Sequence, residues 1–464
     1  MTAKSRPRPG LVIVSNRGPY RLYVTKRGLK RERTVGGLVT SVLPMLEHVG
    51  GVWIAWGEPE GRFPIPPRRS KFELQHLRLE PEQVRRYYHG LSNSALWPLC
   101  HSFLGRVRYT PSDWQCYEQV NGLFAHAALA AAGPDDVIWV HDYQLGRMPQ
   151  YVRDARPSAR LLGFWHIPFP SVELFATFPW RQRLLEGLLA CDVLGFHIPA
   201  YAGNFIAAAV ELLGARADGD QVAWRGWTTR VKARPIGIDF AAIARTAASP
   251  PAQKRAQEWR AAIGQHPIVL GVERMDYTKG ILERLNAMEV LLERRPDWHG
   301  KVTLIQIVTP SRTEVPTYQQ KKREVDEAVG RINGRFSDGV WSPIRYFCRS
   351  FSIDELIALY RTAEVALVTP LRDGLNLVAK EYVAARLNND GVLVLSEFAG
   401  AAQQLPEAVL VNPYSIDDMA TAIEGALTMP IDEQRRRMEA MRARIQAQDI
   451  DWWAQEFLND IQRG

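Results

Sequence analysis

The chain has 464 residues, 46% hydrophobic, 23% charged and 10% aromatic. That is the make-up of a folded protein with room for two or three domains, and it excludes a disordered, collagenous or disulfide-scaffold chain. Lys and Arg number 58 against 50 Asp and Glu, a formal net charge of +8. The excess suits anionic ligands, but the basic residues are scattered and no zinc finger, RNP-type strand or basic heptad is present. Small phosphorylated molecules are therefore expected rather than nucleic acid. No run of 18 apolar residues occurs, so no membrane span is expected, and the opening MTAKSRPRPG lacks the apolar stretch of a signal peptide. Cys100, Cys116, Cys191 and Cys348 form no CxxC pair and read as free thiols in a reducing compartment.

In chain order, residues 11–14 form a short apolar run that reads as a buried strand. Val39, Val42, Leu43, Leu46 and Val49 then recur at helical spacing. Strands follow at 52–56, 137–140, 161–165 and 192–196, with a helical period over 180–189. A second series begins near 267: strands at 268–272, 302–308, 365–369 and 392–395, and helices at 282–292, 318–332 and 377–385. Strand–helix alternation over two long stretches predicts two α/β domains with parallel sheets. The break is expected between 240 and 267, a stretch rich in Ala, Gln and Arg that contains Pro250-Pro251.

In open parallel sheets, ligands bind beyond the carboxyl ends of the strands. The polar residues after each apolar run should therefore converge: Ser15-Asn16-Arg17, His141-Asp142, His166, Glu273-Arg274, 309–312 and Arg372-Asp373. This set of arginines, histidines and aspartates suits sugars and phosphates. Gly36-Gly37 precede a helix and would let backbone approach a phosphate, although a plain loop-to-helix turn would carry the same glycines. Arg274 and Lys279 follow a strand and can clamp a diphosphate, Arg through directed pairs of hydrogen bonds and Lys as a point charge. Asp373-Gly374 ends a strand loop, and the amides of Leu375, Asn376 and Leu377 then head a helix where an anion is stabilised. Glu381, one turn on, can accept from a ribose diol. His141-Asp142, His166 and Asp373 have no close metal-ligand spacing, and Asp449-Ile450-Asp451 reads as helix capping rather than as a metal-binding DxD. No metal site is therefore expected. Tyr88, Trp97, Trp53 and Trp56 offer faces for sugar rings, with core packing the simpler reading for Trp53. No GxGxxG follows a strand, and there is no Walker A, GxSxG or Cys/His signature.

The segments VSNR, GGL, WIAWGE, YYHG…LWP, VHDY, HIPFPS, RPIGI, VERMDYTKG, TPSR, INGRF, TPLRDGLNLVAKEY and SEFAGAA occur in an order and spacing that resemble the trehalose-6-phosphate synthase family from about residue 10 onward. The resemblance implies a GT-B glycosyltransferase of α/β class, two Rossmann-like domains with parallel sheets facing across a cleft. It implies a retaining enzyme of trehalose biosynthesis and osmoprotection that needs no metal or other cofactor and moves glucose from UDP-glucose to glucose 6-phosphate. Carried over residue by residue, Arg17 and Arg312 grip the acceptor phosphate with Tyr88 helping, and Trp97 and Asp142 hold the acceptor glucose. Gly36 and Gly37 lie against the donor, and His166 and Asp373 bond its glucose hydroxyls. Arg274 and Lys279 hold the diphosphate with the amides of Leu375, Asn376 and Leu377, and Glu381 takes the ribose. His166, Asp142, Arg274, Lys279 and Asp373 form the catalytic set. Leu375 stands where many members have Met, which should not matter if only its amide acts. Residues 21–34 are longer and more basic than in compact members, with no role assigned.

No residue offers an evident nucleophile opposite the leaving group, so retention would come from front-face attack with the leaving diphosphate taking the proton. The domains implied are 1–240 for the acceptor, 241–448 for the nucleotide sugar, and a C-terminal helix within 449–464 packing back on the first. Several stretches (WPxxHSF, PSDW, LLACDVLGFHIP, RDGLNLVAKEYV) also resemble glucosylglycerol-phosphate synthase, which would use glycerol 3-phosphate as acceptor. Ser15-Asn16, Gly36-Gly37 and Arg312 favour the first family. A silent sugar-phosphate sensor is the remaining reading, but Arg274, Lys279, Asp373 and Glu381 are all in place. The expected setting is cytoplasmic, with a separate phosphatase acting on the product and association into a homo-oligomer left open.

Overall fold

The computed structural model describes residues 10–462 except 26–27, 34–38, 40–41, 44–45, 48–49, 66–71, 265 and 312–315. The chain divides into two compact units, Met1–Gly237 with Ile450–Gly464, and Ile238–Asp449.

The first unit holds β1 (Leu11–Arg17), β2 (Tyr20–Thr25), β3 (Gly28–Arg33), β4 (Gly51–Trp56), β5 (Gly61–Ile65), β6 (Phe72–Leu77), β7 (Val137–His141), β8 (Arg160–Phe164), β9 (Val193–Phe196), β10 (Arg216–Asp218), β11 (Gln221–Trp224) and β12 (Trp227–Ala233). Ten of these strands make one sheet in the order β10-β11-β12-β9-β8-β7-β1-β4-β6-β5. It is parallel from β12 to β6. Its central strands are buried on both faces, so they read as continuous apolar runs: residues 11–14 and the whole of β7 are buried. From β1 the chain moves one way to β4 and β6, then returns to the other side of β1 for β7, β8 and β9. The ends of β1 and β7 thus flank a topological switch point, where the loops diverge and leave room for a ligand.

The helix Ile450–Gln462 belongs to this unit. Trp453 stacks on Trp139 of β7 at 5.0 Å between ring centroids and donates from Nε1 to the Arg234 carbonyl at 3.3 Å. Arg234 pairs with Asp460, and Arg160 donates to the Ile461 carbonyl. Asp449 directly precedes the helix and Asp451 lies in its first turn, where a negative charge is favoured.

The second unit holds β13 (Ile268–Arg274), β14 (Thr303–Thr309), β15 (Ile344–Phe347), β16 (Val365–Val368), β17 (Val392–Ser396) and β18 (Val409–Val411). All are parallel, in the order β15-β14-β13-β16-β17-β18. Its switch point lies between β13 and β16. The helix Ile281–Arg294 buries Leu285, Met288, Leu291 and Leu292 against this sheet.

The stretch expected to be the break, 240–267, is a correction. It contains two capped helices of the second unit, Phe240–Ala248 and Pro250–Ile263. Asp239 caps the first through Ala242 N–H at 2.8 Å, and Ser249 caps the second. Pro250-Pro251 stands in a first helical turn, where the missing N–H costs nothing, so it opens a helix rather than ending a domain. The basic stretch 21–34, left without a role by its sequence, contains most of the antiparallel ribbon β2–β3, in which Tyr23 Oη donates to Glu32 at 2.8 Å. Among the described residues, no helix is long and apolar enough to cross a membrane. None of the four cysteines forms a disulfide.

Candidate active site

In the first unit, the end of β1 is fixed by two tryptophans. Ser15 Oγ accepts from Trp53 Nε1 at 2.8 Å, and Asn16 Oδ1 accepts from Trp56 Nε1 at 2.9 Å and from Tyr87 Oη at 3.1 Å. Trp53 is wholly buried, as its core reading requires. The Arg17 guanidinium lies 3.5 Å from the centre of the Trp56 ring and 5.7 Å from that of Tyr88. Stacking of this kind orients the planar fork while its edges keep their donors for an anion.

Tyr88 and Trp97 are set by an unusual helix. Val84–Leu96 is π-helical over 13 residues. Ser92, Asn93 and Ser94 each donate a side-chain hydrogen bond to the carbonyl five residues back, at 2.7–2.8 Å. These bonds support the wide winding, a geometry found mostly in single turns and often at functional sites. Asn93 Oδ1 in turn accepts from Tyr143 Oη at 3.0 Å, and Trp97 lies 5.9 Å from the Tyr143 ring. The π-helix is thereby tied to the loop after β7.

That loop begins with Asp142 at φ 76°, a strained conformation for a non-glycine residue. Its backbone N–H donates to Phe164 O at 2.7 Å, and its Oδ1 accepts from the amides of Tyr143 (2.9 Å) and His166 (3.3 Å). His141 Nδ1 lies 3.1 Å from His166 Nε2. Of the first-unit residues expected to converge, His141, Asp142 and His166 meet at the carboxyl edge of the sheet: Asp142 and His166 share a hydrogen bond, as do His141 and His166, and Trp97 lies against Tyr143 of the same loop.

In the second unit, β13 ends at Arg274, and the turn Tyr277–Lys279 follows. Gly280 has φ 63°, and a Cβ there would fall 2.1 Å from Thr369 O. Glycine therefore lets this turn press against the loop after β16, where Leu371 N–H bonds Thr278 O at 2.8 Å. The approach joins the two expected halves: Lys279 Nζ lies 2.5 Å from Asp373 Oδ2. Asp373 also accepts from Asn376 Nδ2 at 3.1 Å and from the Leu375 amide at 3.4 Å. Gly400 sits directly against Gly374, where a Cβ would lie 2.1 Å from the carbonyl oxygen. Asn376, at φ 84°, caps the helix Leu377–Ala385 through Ala379 N–H. The Leu375 amide, expected to face an anion, is thus turned toward Asp373.

Glu381 accepts from Tyr360 Oη at 3.1 Å, and burial pushes its carboxyl above the usual range. Beside it, Lys380 is fully buried and its pKa is brought down to about 7 by desolvation. For a base with a lowered folded pKa, the unfolded chain binds more protons between that value and the ordinary one near 10.4, so stability rises with pH across this window. Lys380→Met is expected to flatten this part of the Tm–pH profile, removing a slope of up to ~1.4 kcal/mol per pH unit.

Sequence reasoning missed a fully buried network below the Arg274 turn. Arg284 donates to Glu273 Oε1 (3.2 Å), Gln306 Oε1 (3.1 Å) and Thr369 Oγ1 (3.2 Å). Glu273, at a strand end, was visible in the sequence. Its cation was not, because Arg284 looks like any charged helix residue. Gly36, Gly37 and Arg312 lie outside the described residues, so the structure places none of them. Among the described residues, no three His, Cys, Asp or Glu side chains gather as ligands for one ion.

Two α/β units, each with a parallel sheet and with sugar- and phosphate-type side chains at a switch point, define a glycosyltransferase of the GT-B class. The model of glycosyltransferase family 20 matches residues 9–463, and the chain belongs to that family. It is 40% identical over 461 residues to a trehalose-6-phosphate synthase of Mycolicibacterium smegmatis, covering 97% of this chain and 92% of that protein. A bifunctional trehalose-6-phosphate synthase/phosphatase of Thermoproteus tenax is 41% identical over 466 residues, and the chain spans 63% of its length. Among solved structures, a UDP-forming α,α-trehalose-phosphate synthase of Burkholderia xenovorans in complex with glucose-6-phosphate aligns with TM-score 0.90 at 36% identity, covering 98% of this chain and 100% of that one. An E. coli structure bound with UDP-2-fluoro glucose aligns with TM-score 0.90 at 36% identity over 98% of this chain and 99% of that one.

Proposed function

We propose that this chain transfers glucose from UDP-glucose to glucose 6-phosphate, with retention, to give α,α-trehalose 6-phosphate and UDP. The observation that carries the reading is the second-unit switch point, where Lys279, five residues after Arg274 at the end of β13, meets Asp373 close before the helix that leads to Glu381. Two cations beside a helix N-terminus suit a diphosphate, and a carboxylate one turn on suits a ribose. In the first unit, Arg17 stacked on Trp56 and leaning toward Tyr88 suits the phosphate of the acceptor, with Trp97 and Asp142 at its sugar.

In the proposed reaction, the anomeric hydroxyl oxygen of glucose 6-phosphate attacks C1 of the donor glucose from the side of the leaving group. The C1–oxygen bond to the diphosphate breaks, and the hydroxyl proton passes to the departing phosphate oxygen. Arg274 and Lys279 stabilise the charge that develops there, as preorganised cations in a partly dry site do. No metal ion enters the scheme, so EDTA is expected to leave the rate unchanged.

The test is a product assay with purified protein and UDP-glucose. With glucose 6-phosphate, UDP release and the anomeric NMR signals of an α,α-linked disaccharide phosphate are expected together. Preference for glycerol 3-phosphate, or ligand binding without UDP release at saturation, would overturn the assignment. The product is a phosphate monoester, so a phosphatase is the class of enzyme that would consume it. We place the protein in the cytoplasm, in keeping with four cysteines outside disulfides.

A further inference from the structure

The end of β7 holds an imidazole pair that the reading above uses only in part. His141 is fully buried, and the Trp139 ring stacks on it at 5.1 Å and 28°. Its Nδ1 lies 3.1 Å from His166 Nε2, while its own Nε2 is buried and meets no hydrogen-bonding partner among the described residues. His166 is only partly buried. Burial drives both imidazoles well below their ordinary pKa, and each is lowered further by a neighbouring imidazole, His141 by His166 and His166 by His197. Both rings are therefore neutral near pH 7, and each carries one proton.

One proton must sit in the gap between the rings, which allows two arrangements. If His166 Nε2–H donates, the only proton of His141 is on Nε2, a buried N–H with nothing to accept it. If His141 Nδ1–H donates, Nε2 of His141 is a bare lone pair against apolar surroundings, and the proton of His166 is on Nδ1. An orphaned buried N–H is the rarer and costlier defect. We propose that His141 is a positioning residue that fixes His166 as its Nδ1–H tautomer, so that His166 offers a hydrogen-bond donor, not an acceptor, to a sugar oxygen of the nucleotide-sugar substrate. The last clause rests on the placement of His166 against the donor glucose; the tautomer itself does not.

The register of the sheet builds this device. His141 pairs with Phe164 across β7 and β8, and Asp142 N–H bonds Phe164 O. The chain leaving β8 then brings His166 beside His141, with its backbone amide held by Asp142 Oδ1. Both the ring and the backbone of His166 are thus set from the end of β7.

The tautomer is read directly by 15N NMR of the imidazoles in the intact wild-type protein. A protonated Nδ1 and a bare Nε2 at His166 support the proposal, and the reverse pattern overturns it. Two substitutions read the functional role. His141→Asn places an amide nitrogen where Nδ1 stands and can still donate. His141→Gln places it near Nε2 and leaves His166 without its donor. Expected is a loss of about tenfold or more in kcat/KM for UDP-glucose in His141→Gln and a clearly smaller loss in His141→Asn, with the KM for glucose 6-phosphate little moved in either. A purely space-filling role predicts the opposite order, because Gln fills more of the cavity, and that order would overturn the proposal. A correct tautomer with unchanged kinetics in both variants would instead overturn the placement of His166 on the donor sugar.

Discussion

Lys279→Met is expected to lower kcat/KM for UDP-glucose by about 10³-fold while changing the KM for glucose 6-phosphate by less than about threefold. Lys279 is 7% exposed, and its ammonium is held 2.5 Å from Asp373. The pair balances two charges in a largely dry place. In the proposed reaction, the ammonium would turn part of its attraction to the diphosphate, and Asp373 would accept from a glucose hydroxyl. Removing the cation therefore acts twice: the departing phosphate loses a preorganised charge, and Asp373 is left without its partner. Lys279→Arg is not expected to restore activity, because a planar fork does not reproduce the compact point charge that meets Asp373 here. A thermal-shift titration gives the second measurement. UDP should raise Tm in the wild type and do so much less in the variant. If the KM for glucose 6-phosphate rises instead, the diphosphate has been assigned to the wrong unit.

The largest expected effect on stability comes from Arg284→Met. The arginine is wholly buried, and its three acceptors lie on β13, on β14 and just beyond the end of β16. Breaking a buried pair by removing one member costs about 3–5 kcal/mol, which corresponds to a fall of roughly 10 °C or more in the transition of a unit this size. Burial already pushes the Glu273 carboxyl up, with Arg284 the main opposing influence. Without Arg284, the folded-state pKa rises further above its unfolded value near ~4.3. An acid raised in this way is protonated more in the folded state, so its penalty is absent below the unfolded value, grows as pH rises from there toward the raised value and levels off above it. The Tm deficit should therefore be smallest near pH 4 and grow as pH rises. Adding Glu273→Gln removes the stranded carboxylate and should recover much of the loss. A deficit that ignores both pH and the second substitution would show that packing, not charge, is what Arg284 supplies.

The strands were legible in the sequence because a parallel strand buried on both faces is a plain apolar run, as at 11–14 and 268–272. The polar residues proposed for the site stand out at their ends for the same reason, since a polar residue directly after such a run has few structural reasons to be there. Other features depended on information the sequence spreads out. Pro250-Pro251 looked like a break because proline ends helices as well as starting them, and only the Ser249 cap tells which. The π-helix Val84–Leu96 was invisible because its winding is supported by Ser92, Asn93 and Ser94 reaching back five residues, a spacing absent from the 3.6-residue period. The ribbon β2–β3 carries charge where a strand pattern would show apolar alternation. His141 and His166 were both noted as strand-end residues, but their contact follows from the register of β7 on β8.

Trp453 and Trp139 belong to segments more than 300 positions apart, yet they form one stack behind His141. The first unit is therefore finished only by residues that a ribosome makes after the entire second unit. Until then, the inner surface of β7 and β8 is bare tryptophan and phenylalanine, and the imidazole pair has no dry backing. Completion of the first unit thus waits on the arrival of one thirteen-residue helix, and a chain cut before it is expected to lose the backing of the imidazole pair even when every proposed substrate-facing side chain is present.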